Sequence, residues 1–260
     1  MNLQLGDVEE TALIPLAVRA NETKRKNARI QDEKAVEIIE TLGIETKKYD
    51  KLMTHECVVA RTILFDQTVK EYTKHYPDAI CINLGCGLDN RFSRVDNGSI
   101  RWINIDLPDS IDVRRKVYQE SEREAMMGKD ILKEGWLNSI PKNKPVIVIA
   151  EGLFMYFSKE QITDILANLT NTFSKGILLV ELMKQSMMKE DMHDTVKHTN
   201  ARFGWGIDKS GRELLELNHR IRFVKEISFS TQMKQDGVKS RILGSIIGEL
   251  NNRLSVFEWG

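Results

Sequence analysis

The chain has 260 residues, enough for one domain with a substantial core, and its 38 Lys and Arg residues balance its 38 Asp and Glu residues. A chain without net charge lacks the overall field that collects nucleic acid or anionic membranes, so the composition argues against both partners. The first ten residues include three acidic side chains and no long apolar run follows, which predicts a cytoplasmic protein with neither a secretion signal nor a spanning helix.

Helical patterns dominate residues 1–75 and predict an N-terminal helical layer. Asp32 precedes a run of apolar residues at helical spacing and Gly43 follows it, as expected for the two ends of a helix. A second helix carries one apolar stripe, which predicts that this side faces a core. The stripe consists of Val58, Thr62, Phe65, Val69 and Tyr72.

From Pro77 onward, short β-rich runs alternate with helical patterns, which is typical of an α/β fold with a parallel sheet and crossover helices. Strands are predicted over 79–84, 101–105, 146–150, 177–180, 222–230 and 254–259, with a weaker strand before Asp130. Ser158 with Gln161 and Ser210 with Glu213 form capping boxes, and residues 242–250 show helical spacing.

The segment 183–218 differs from its surroundings, because it is rich in charged and Met residues and contains two histidines and a glycine-aromatic stretch. We interpret it as a cap inserted over the active site. No linker, repeat or low-complexity stretch indicates a domain boundary, so a single domain over residues 1–260 is predicted. Cys57, Cys81 and Cys86 lack paired spacing, which predicts reduced thiols and no metal site.

A glycine turn follows the first predicted strand in the run Asn83-Leu84-Gly85-Cys86-Gly87-Leu88-Asp89. In open α/β sheets such a turn borders the ligand crevice, where glycines let the backbone approach a bound molecule. An ordinary tight turn is the alternative. A dinucleotide site would have a third glycine where this chain has Asn90, so a nicotinamide cofactor is disfavoured.

Charged residues follow the strands at the same edge. Asp106 ends its strand and is placed to accept both hydroxyls of an adenosine ribose; the alternative is a cap for the next helix. Glu151 closes the 146–150 strand, where a carboxylate can hold a ligand ammonium group. Arg61 lies on the apolar stripe of its helix and needs an anion, either a ligand carboxylate or an internal Asp or Glu. Arg19 raises the same question.

Together and in this order, these sites resemble the leucine carboxyl methyltransferase family, in its branch of tetracenomycin-type polyketide O-methyltransferases. The resemblance spans nearly the whole chain. It is based on Glu10-Thr11-Ala12 through Val18-Arg19-Ala20, Ala60-Arg61-Thr62 with Asp66, the glycine turn, Ile105-Asp106-Leu107-Pro108 and Ala150-Glu151-Gly152-Leu153. Cys86 and Asn90 depart from the family pattern, which commonly has alanine and threonine at these positions.

The resemblance implies a class I methyltransferase fold, which is a Rossmann-like, mostly parallel seven-stranded sheet with helices on both faces and an antiparallel last strand. It also implies S-adenosyl-L-methionine as the cofactor, bound at the carboxyl edge of the sheet. The implied contacts are Arg61, helped by Arg19, to the methionine carboxylate, Glu151 to the methionine amino group, Gly85 and Gly87 under the ligand, Asp106 to the ribose, and Asp130 with Ile131 to the adenine.

The function implied by the resemblance is O-methylation of a carboxylate or phenolic hydroxyl of a small molecule. Methylation of a protein C-terminal carboxylate and a non-catalytic cofactor-binding protein are the alternatives. A carboxylate acceptor is ionised at neutral pH and needs no base, whereas a phenol with a pKa of about 10 benefits from one. His193, His198, His219 and Tyr156 are the residues available for that role, and none is assigned to it. The substrate pocket is predicted to include Tyr156, His198, Phe203 and Trp205.

Overall fold

The computed structural model describes residues 7–188 and 202–260. Its strands are β1 (Ile80–Leu84), β2 (Arg101–Asp106), β3 (Glu124–Gly128), β4 (Val146–Ala150), β5 (Gly176–Leu182), β6 (Arg222–Ser228) and β7 (Arg253–Trp259). They form a seven-stranded sheet in the order β3-β2-β1-β4-β5-β7-β6. Strands β1 to β5 pair in parallel, and β7 is antiparallel to both of its neighbours. This topology confirms the mostly parallel sheet with an antiparallel last strand.

The helices of the described ranges are α1 (Asp7–Thr23), α2 (Glu33–Leu42), α3 (Leu52–His75), α4 (Arg91–Val95), α5 (Pro108–Arg115), α6 (Lys159–Thr172), α7 (Phe229–Gln235) and α8 (Val238–Ile247). None of them is long and apolar enough to cross a membrane. Both predicted ends of α2 are confirmed, since Asp32 accepts a hydrogen bond from the Ala35 amide and Gly43 has a φ of 61°. The predicted capping box at Ser158 and Gln161 is present at the start of α6.

Two helical layers cover the two faces of the sheet. Successive residues of β4 point to opposite faces, so Ile147 and Ile149 pack with the buried stripe of α3, whereas Val148 packs with the apolar side of α6. The N-terminal helices divide between two places. Helix α3 lies on a sheet face, and α1 and α2 form a separate apolar cluster with the turn after β1 and with α5.

Three predicted elements differ in detail from the structure. Strand β6 ends at Ser228 instead of residue 230, because the Ser228 side chain accepts from the Ser230 amide and starts α7. The helix predicted over 242–250 is present as α8 but ends at Ile247, where the 3-10 helix Gly248–Leu250 follows, and its Ile242 and Ile246 are 55% and 72% exposed. The Ser210 capping box is present but begins a short 3-10 helix, Gly211–Glu216.

The segment predicted as a cap, 183–218, is described in part. Lys184, near its start, forms a parallel bridge with Ile207, and the Gln185 amide donates to the Ile207 carbonyl at 2.8 Å. His193 and His198 lie outside the described residues. The cap function of this segment stays a prediction. All three cysteines are free, as the sequence predicts.

Candidate functional site

The turn after β1 has the backbone conformation that requires glycine. Gly85 and Gly87 have φ values of 62° and 46°, in the left-handed region that other residues rarely adopt. A Cβ at Gly85 would lie 2.8 Å from the Leu153 side chain, in the loop after β4. A Cβ at Gly87 would lie 3.0 Å from the Cβ of Ala12, in α1. The turn is therefore enclosed between the N-terminal helix and the loop after β4.

Buried polar side chains hold the carbonyl groups of residues 87–89. Nη1 of Arg114 donates to the carbonyls of residues 87 and 89 at 3.0 and 2.7 Å, and its guanidinium lies 4.1 Å over the Tyr118 ring. The carbonyl of Leu88 accepts from the Tyr118 hydroxyl and from Nη2 of Arg19, each at 3.0 Å. Because three successive carbonyls are bound, the turn is held in one conformation.

Arg19 uses its guanidinium within the protein. It is 2% exposed and, besides the Leu88 carbonyl, its Nε donates to Asp32 at 2.7 Å. Arg61 was expected to bind the same ligand carboxylate as Arg19, but it pairs with different side chains, Glu151 and Glu181. The ligand contact predicted for Arg19 stays a prediction, and its surroundings favour a role in holding the glycine turn.

Asp106 ends β2 beside the glycine turn. Its Oδ2 accepts from the Gly87 amide and its Oδ1 from the Leu107 amide, both at 2.8 Å. Burial raises the pKa of Asp106 despite these bonds. The Ser110 side chain, in the first turn of α5, also bonds to the carboxylate, but the N-cap of α5 is Leu107 and no side chain caps it, so Asp106 does not act as the helix cap that the sequence left as the alternative. Each carboxylate oxygen has more than one lone pair, which leaves acceptor capacity for the hydroxyl groups of a ligand.

The register of the sheet places two glutamates side by side. Ala150 of β4 pairs with Val180 of β5, so Glu151 and Glu181 come next on neighbouring strands. Glu181 is 2% exposed and accepts from the Gly152 amide at 2.8 Å. Gly152 has a φ of 64°, which bends the chain away from β4 directly after Glu151. The sequence did not reveal Glu181, because it continues an apolar strand that was predicted to end at residue 180.

Arg61 reaches both glutamates from α3. Its Nε lies 2.9 Å from Oε1 of Glu151, but this ion pair lacks hydrogen-bond alignment and leaves the buried Nε without a hydrogen-bond acceptor. Its Nη1 donates to Oε2 of Glu181 at 3.2 Å. Burial opposes the charged form, yet the two carboxylates outweigh it and raise the pKa of Arg61. Of the two anions that the sequence left open, the structure contains the internal carboxylates.

Further buried ion pairs connect this site to the glycine turn. Arg91 is 1% exposed and donates to Glu151 and, at 2.7 Å, to Asp66, and it lies 3.0 Å from Asp89. Arg94 donates to Asp66 and Asp89 as well. Neither arginine was predicted from the sequence as a site residue. Their spacing on α4 was the available signal, since residues three apart share a helix face.

Asp130 and Ile131 follow β3 at the same edge of the sheet, because Gly128, the last residue of β3, pairs with Asp106. Oδ1 of Asp130 accepts from the Leu132 amide at 3.0 Å, and the side chain is 28% exposed. Ile131 is 8% exposed and belongs to the apolar cluster on the α6 side of the sheet. Their contact with an adenine ring stays a prediction.

The structure brings together three of the residues predicted for the substrate pocket. The rings of Tyr156 and Phe203 stack with centroids 5.8 Å apart and planes inclined by 16°. The Gly204 amide donates to the Met155 carbonyl at 2.8 Å, which joins this segment to the loop after β4, and Trp205 packs against the adjacent apolar cluster. His198 lies outside the described residues. Burial and the nearby Glu181 charge raise the pKa of Tyr156 to about 12, so its hydroxyl stays protonated at neutral pH.

These residues fit a zwitterionic adenosine ligand in two respects. The buried Nε of Arg61 lacks a hydrogen-bond acceptor, which suits a ligand carboxylate. The glycine turn and the Asp106 carboxylate lie next to each other at the carboxyl edge, where open α/β sheets bind ligands.

The chain is similar in sequence to known methyltransferases. The sequence profile described as leucine carboxyl methyltransferase matches residues 12–170. The tetracenomycin polyketide synthesis O-methyltransferase TcmP of Streptomyces glaucescens is 27% identical over 208 residues, which cover 79% of this chain and 77% of that protein. The S-adenosyl-L-methionine-dependent methyltransferase dpfgK of Gibberella zeae is 27% identical over 186 residues, which cover 65% of this chain and 62% of that protein.

Among solved structures, a candidate methyltransferase from Thermobifida fusca shares the fold, with a TM-score of 0.64 and 12% identity over 95% of this chain and 94% of that chain. This likeness agrees with the class I methyltransferase fold predicted from the sequence. Because the family profile matches more than half of the sequence, the chain belongs to the leucine carboxyl methyltransferase family.

Proposed function

We propose that the protein is an S-adenosyl-L-methionine-dependent O-methyltransferase that acts on a carboxylate or phenolic hydroxyl of a small molecule. The observation that carries the proposal is the meeting of the glycine turn, Asp106 and the Arg61–Glu151 pair at one edge of the sheet. Membership of the leucine carboxyl methyltransferase family supports the same activity. A cytoplasmic location remains the prediction made from the sequence.

The proposed cofactor contacts follow the ligand from one end to the other. Arg61 takes the methionine carboxylate and Glu151 the ammonium group, so that the zwitterion pairs with a cation and an anion that already lie 2.9 Å apart. Asp106 accepts from the ribose hydroxyls. Gly85 and Gly87 pass below the ligand, and Asp130 with Ile131 borders the adenine. Arg19 supports the turn through the Leu88 carbonyl, and its contact with the methionine carboxylate stays a prediction.

When bound, S-adenosyl-L-methionine supplies an electrophilic methyl group on a sulfonium. The residues of this chain contribute mainly by positioning, because an in-line displacement gains most from holding the acceptor oxygen at about 3–3.5 Å in the correct alignment. Tyr156, Phe203 and Trp205 wall the neighbouring space and keep water away from the acceptor. A stacked aromatic wall favours a planar aromatic acceptor, in keeping with the polyketide pathway named for TcmP.

The general base, where an acceptor requires one, is unassigned. Tyr156 is unsuited to that role at neutral pH, because its pKa is raised to about 12. His219 is exposed on the turn that precedes β6. A carboxylate acceptor makes a base unnecessary, since it is already ionised.

The test is transfer of a labelled methyl group from S-adenosyl-L-methionine to three acceptor sets: polyketide-like phenols, aromatic carboxylic acids, and peptides with a free C-terminal carboxylate. Transfer to the phenols or the small acids is expected. Transfer to peptides alone would favour protein carboxyl methylation, and cofactor binding without transfer to any set would favour a non-catalytic role.

Two matched variants link transfer to the site. Asp106→Asn removes the charge that faces the ribose and is expected to lower kcat/KM for the cofactor at least about tenfold, as for loss of a charge-assisted hydrogen bond. Asp109→Asn changes an exposed carboxylate one turn away on α5 and is expected to leave transfer unchanged. Equal activity of the two variants would contradict the role proposed for Asp106.

A further inference from the structure

Glu181 is a buried carboxylate to which the proposed contacts assign no role. It is 2% exposed, and three separate parts of the chain donate hydrogen bonds to it. Its Oε2 accepts from the Gly152 amide at 2.8 Å and from Nη1 of Arg61 at 3.2 Å, and its Oε1 accepts from Nδ2 of Asn252 at 2.6 Å. Glu181 therefore connects β5, the loop after β4, helix α3 and the residue that precedes β7.

The two carboxylates that face Arg61 are not equivalent. Glu151 has a second cationic partner, because Arg91 donates to its Oε2. The contact between Glu151 and Nε of Arg61 lacks hydrogen-bond alignment, whereas Glu181 holds Nη1 through an aligned hydrogen bond. If another anion takes Nε of Arg61, Glu151 keeps Arg91 and does not become an unpaired buried charge, a state that would be costly. A ligand anion can therefore replace Glu151 as the partner of Arg61 at a lower cost than it can replace Glu181.

We infer that Glu181 is a positioning residue for the amino-acid end of the cofactor. It tethers Arg61 through Nη1, so that Nε stays directed toward the position of the ligand carboxylate. By accepting from the Gly152 amide, it also fixes the turn that immediately follows Glu151, the residue proposed for the ligand ammonium group. This inference rests on the proposed function, and it assigns Glu181 no contact with the cofactor or the acceptor.

A role limited to one end of the cofactor can be measured with ligands that contain different parts of it. S-adenosyl-L-methionine and its demethylated product S-adenosylhomocysteine both contain the amino-acid group, whereas 5′-methylthioadenosine contains the adenosine and sulfur without it. Glu181→Gln keeps the size of the side chain and an amide oxygen but removes the charge that pairs with Arg61. Binding of all three ligands is measured by calorimetry.

Glu226→Gln is the matched control. The Glu226 carboxylate also accepts from an arginine, a glycine amide and a neutral side chain, namely Nη1 of Arg253 at 3.0 Å, Gly211 at 2.6 Å and Ser255 at 3.0 Å. None of these partners is a predicted site residue. The two variants thus remove a hydrogen-bonded carboxylate charge from two places in the fold, where Glu181 is 2% and Glu226 16% exposed.

We expect Glu181→Gln to weaken both amino-acid-containing ligands by roughly tenfold, as for loss of a charge-assisted hydrogen bond, and to leave 5′-methylthioadenosine within about twofold of the wild type. Glu226→Gln is expected to change none of the three affinities. Glu181→Asp, which keeps the charge on a shorter side chain, is expected to recover part of the loss. It also provides the same comparison among ligands if the glutamine variant does not fold.

Equal weakening of all three ligands by the Glu181 variants would show a general structural role and overturn the inference, as would unchanged binding of all three. If the wild type itself binds none of the ligands, the proposed function fails and the inference fails with it. A wild type that binds all three, together with a Glu181 variant that does not discriminate among them, removes the inference and leaves the proposed function intact.

Discussion

Substituting Gly85 by alanine tests whether the glycine turn is required by its backbone conformation alone or also by the close approach of Leu153. Gly85 has a φ of 62°, and a Cβ there would meet a Leu153 methyl group at 2.8 Å. Gly43, at the end of α2, has a φ of 61°, and a Cβ there would have no neighbour within 4 Å. The two glycines thus share the same backbone cost and differ in the space around the added methyl group.

The expected magnitudes follow from these two contributions. A left-handed conformation costs a non-glycine residue roughly 1–2 kcal/mol, and the lower backbone entropy of the unfolded alanine chain returns about 0.4–1 kcal/mol. Gly43→Ala is therefore expected to lower the free energy of unfolding by about 1 kcal/mol. Gly85→Ala adds an overpacking cost at the low end of the roughly 1–3 kcal/mol range, because only the methyl end of the Leu153 side chain has to move, which gives a total of about 2 kcal/mol.

Urea unfolding followed by tryptophan fluorescence measures both variants, and calorimetry with S-adenosyl-L-methionine measures the site. Gly85→Ala is expected to weaken cofactor binding and Gly43→Ala to leave it unchanged. In the double variant with Leu153→Ala, the stability cost of Gly85→Ala is expected to shrink, because the crowding methyl groups are gone. Equal destabilisation by the two single variants, or wild-type cofactor affinity in Gly85→Ala, would refute the reasoning.

Three further predictions concern charged and polar groups. Arg19→Met breaks a buried ion pair with Asp32, so it is expected to destabilise the protein by about 3–5 kcal/mol. Binding of S-adenosyl-L-methionine and of 5′-methylthioadenosine, measured by calorimetry, is expected to weaken by similar factors. Selective loss of S-adenosyl-L-methionine binding would instead support a contact between Arg19 and the ligand carboxylate. Burial disfavours the His55 imidazolium, but Asp50 and Glu22, at 2.7 and 2.8 Å, outweigh this and raise its pKa. The protonated imidazole therefore stabilises the fold fully below the ordinary histidine pKa of about 6.5, and this stabilisation is lost as the pH rises through the raised pKa. His55→Gln is expected to flatten this part of the pH dependence of the free energy of unfolding. An unchanged pH dependence would contradict the stabilising role of the His55 imidazolium. Tyr156→Phe is expected to keep the shape of the pH–rate profile between about pH 7 and 9, since a hydroxyl with a pKa of about 12 supplies no base there; loss of a limb in that range would contradict this.

The sequence by itself determined the layers of the fold and one edge of the site. Apolar runs such as 146–150 identified the buried strands, because only side chains that are covered on both faces form such runs. Asp106 and Glu151 could be predicted as neighbours of the glycine turn from their position alone, since the carboxyl ends of parallel strands meet at one edge. Both ends of α2 and the start of α6 were predicted correctly because capping is decided by residues close in sequence.

The tertiary structure decided which charged groups pair. Arg61 and Glu181 are 120 positions apart, and no local pattern specifies that a guanidinium on α3 meets a carboxylate on β5. The sequence likewise left open whether the anion that Arg19 needs is a ligand carboxylate or an internal acidic side chain, and in the structure Arg19 pairs with Asp32. Strand register, helix packing and the resulting distances between side chains decide such internal pairings, since ion pairs depend on geometry in three dimensions and on burial, which the spacing of residues along the chain does not contain.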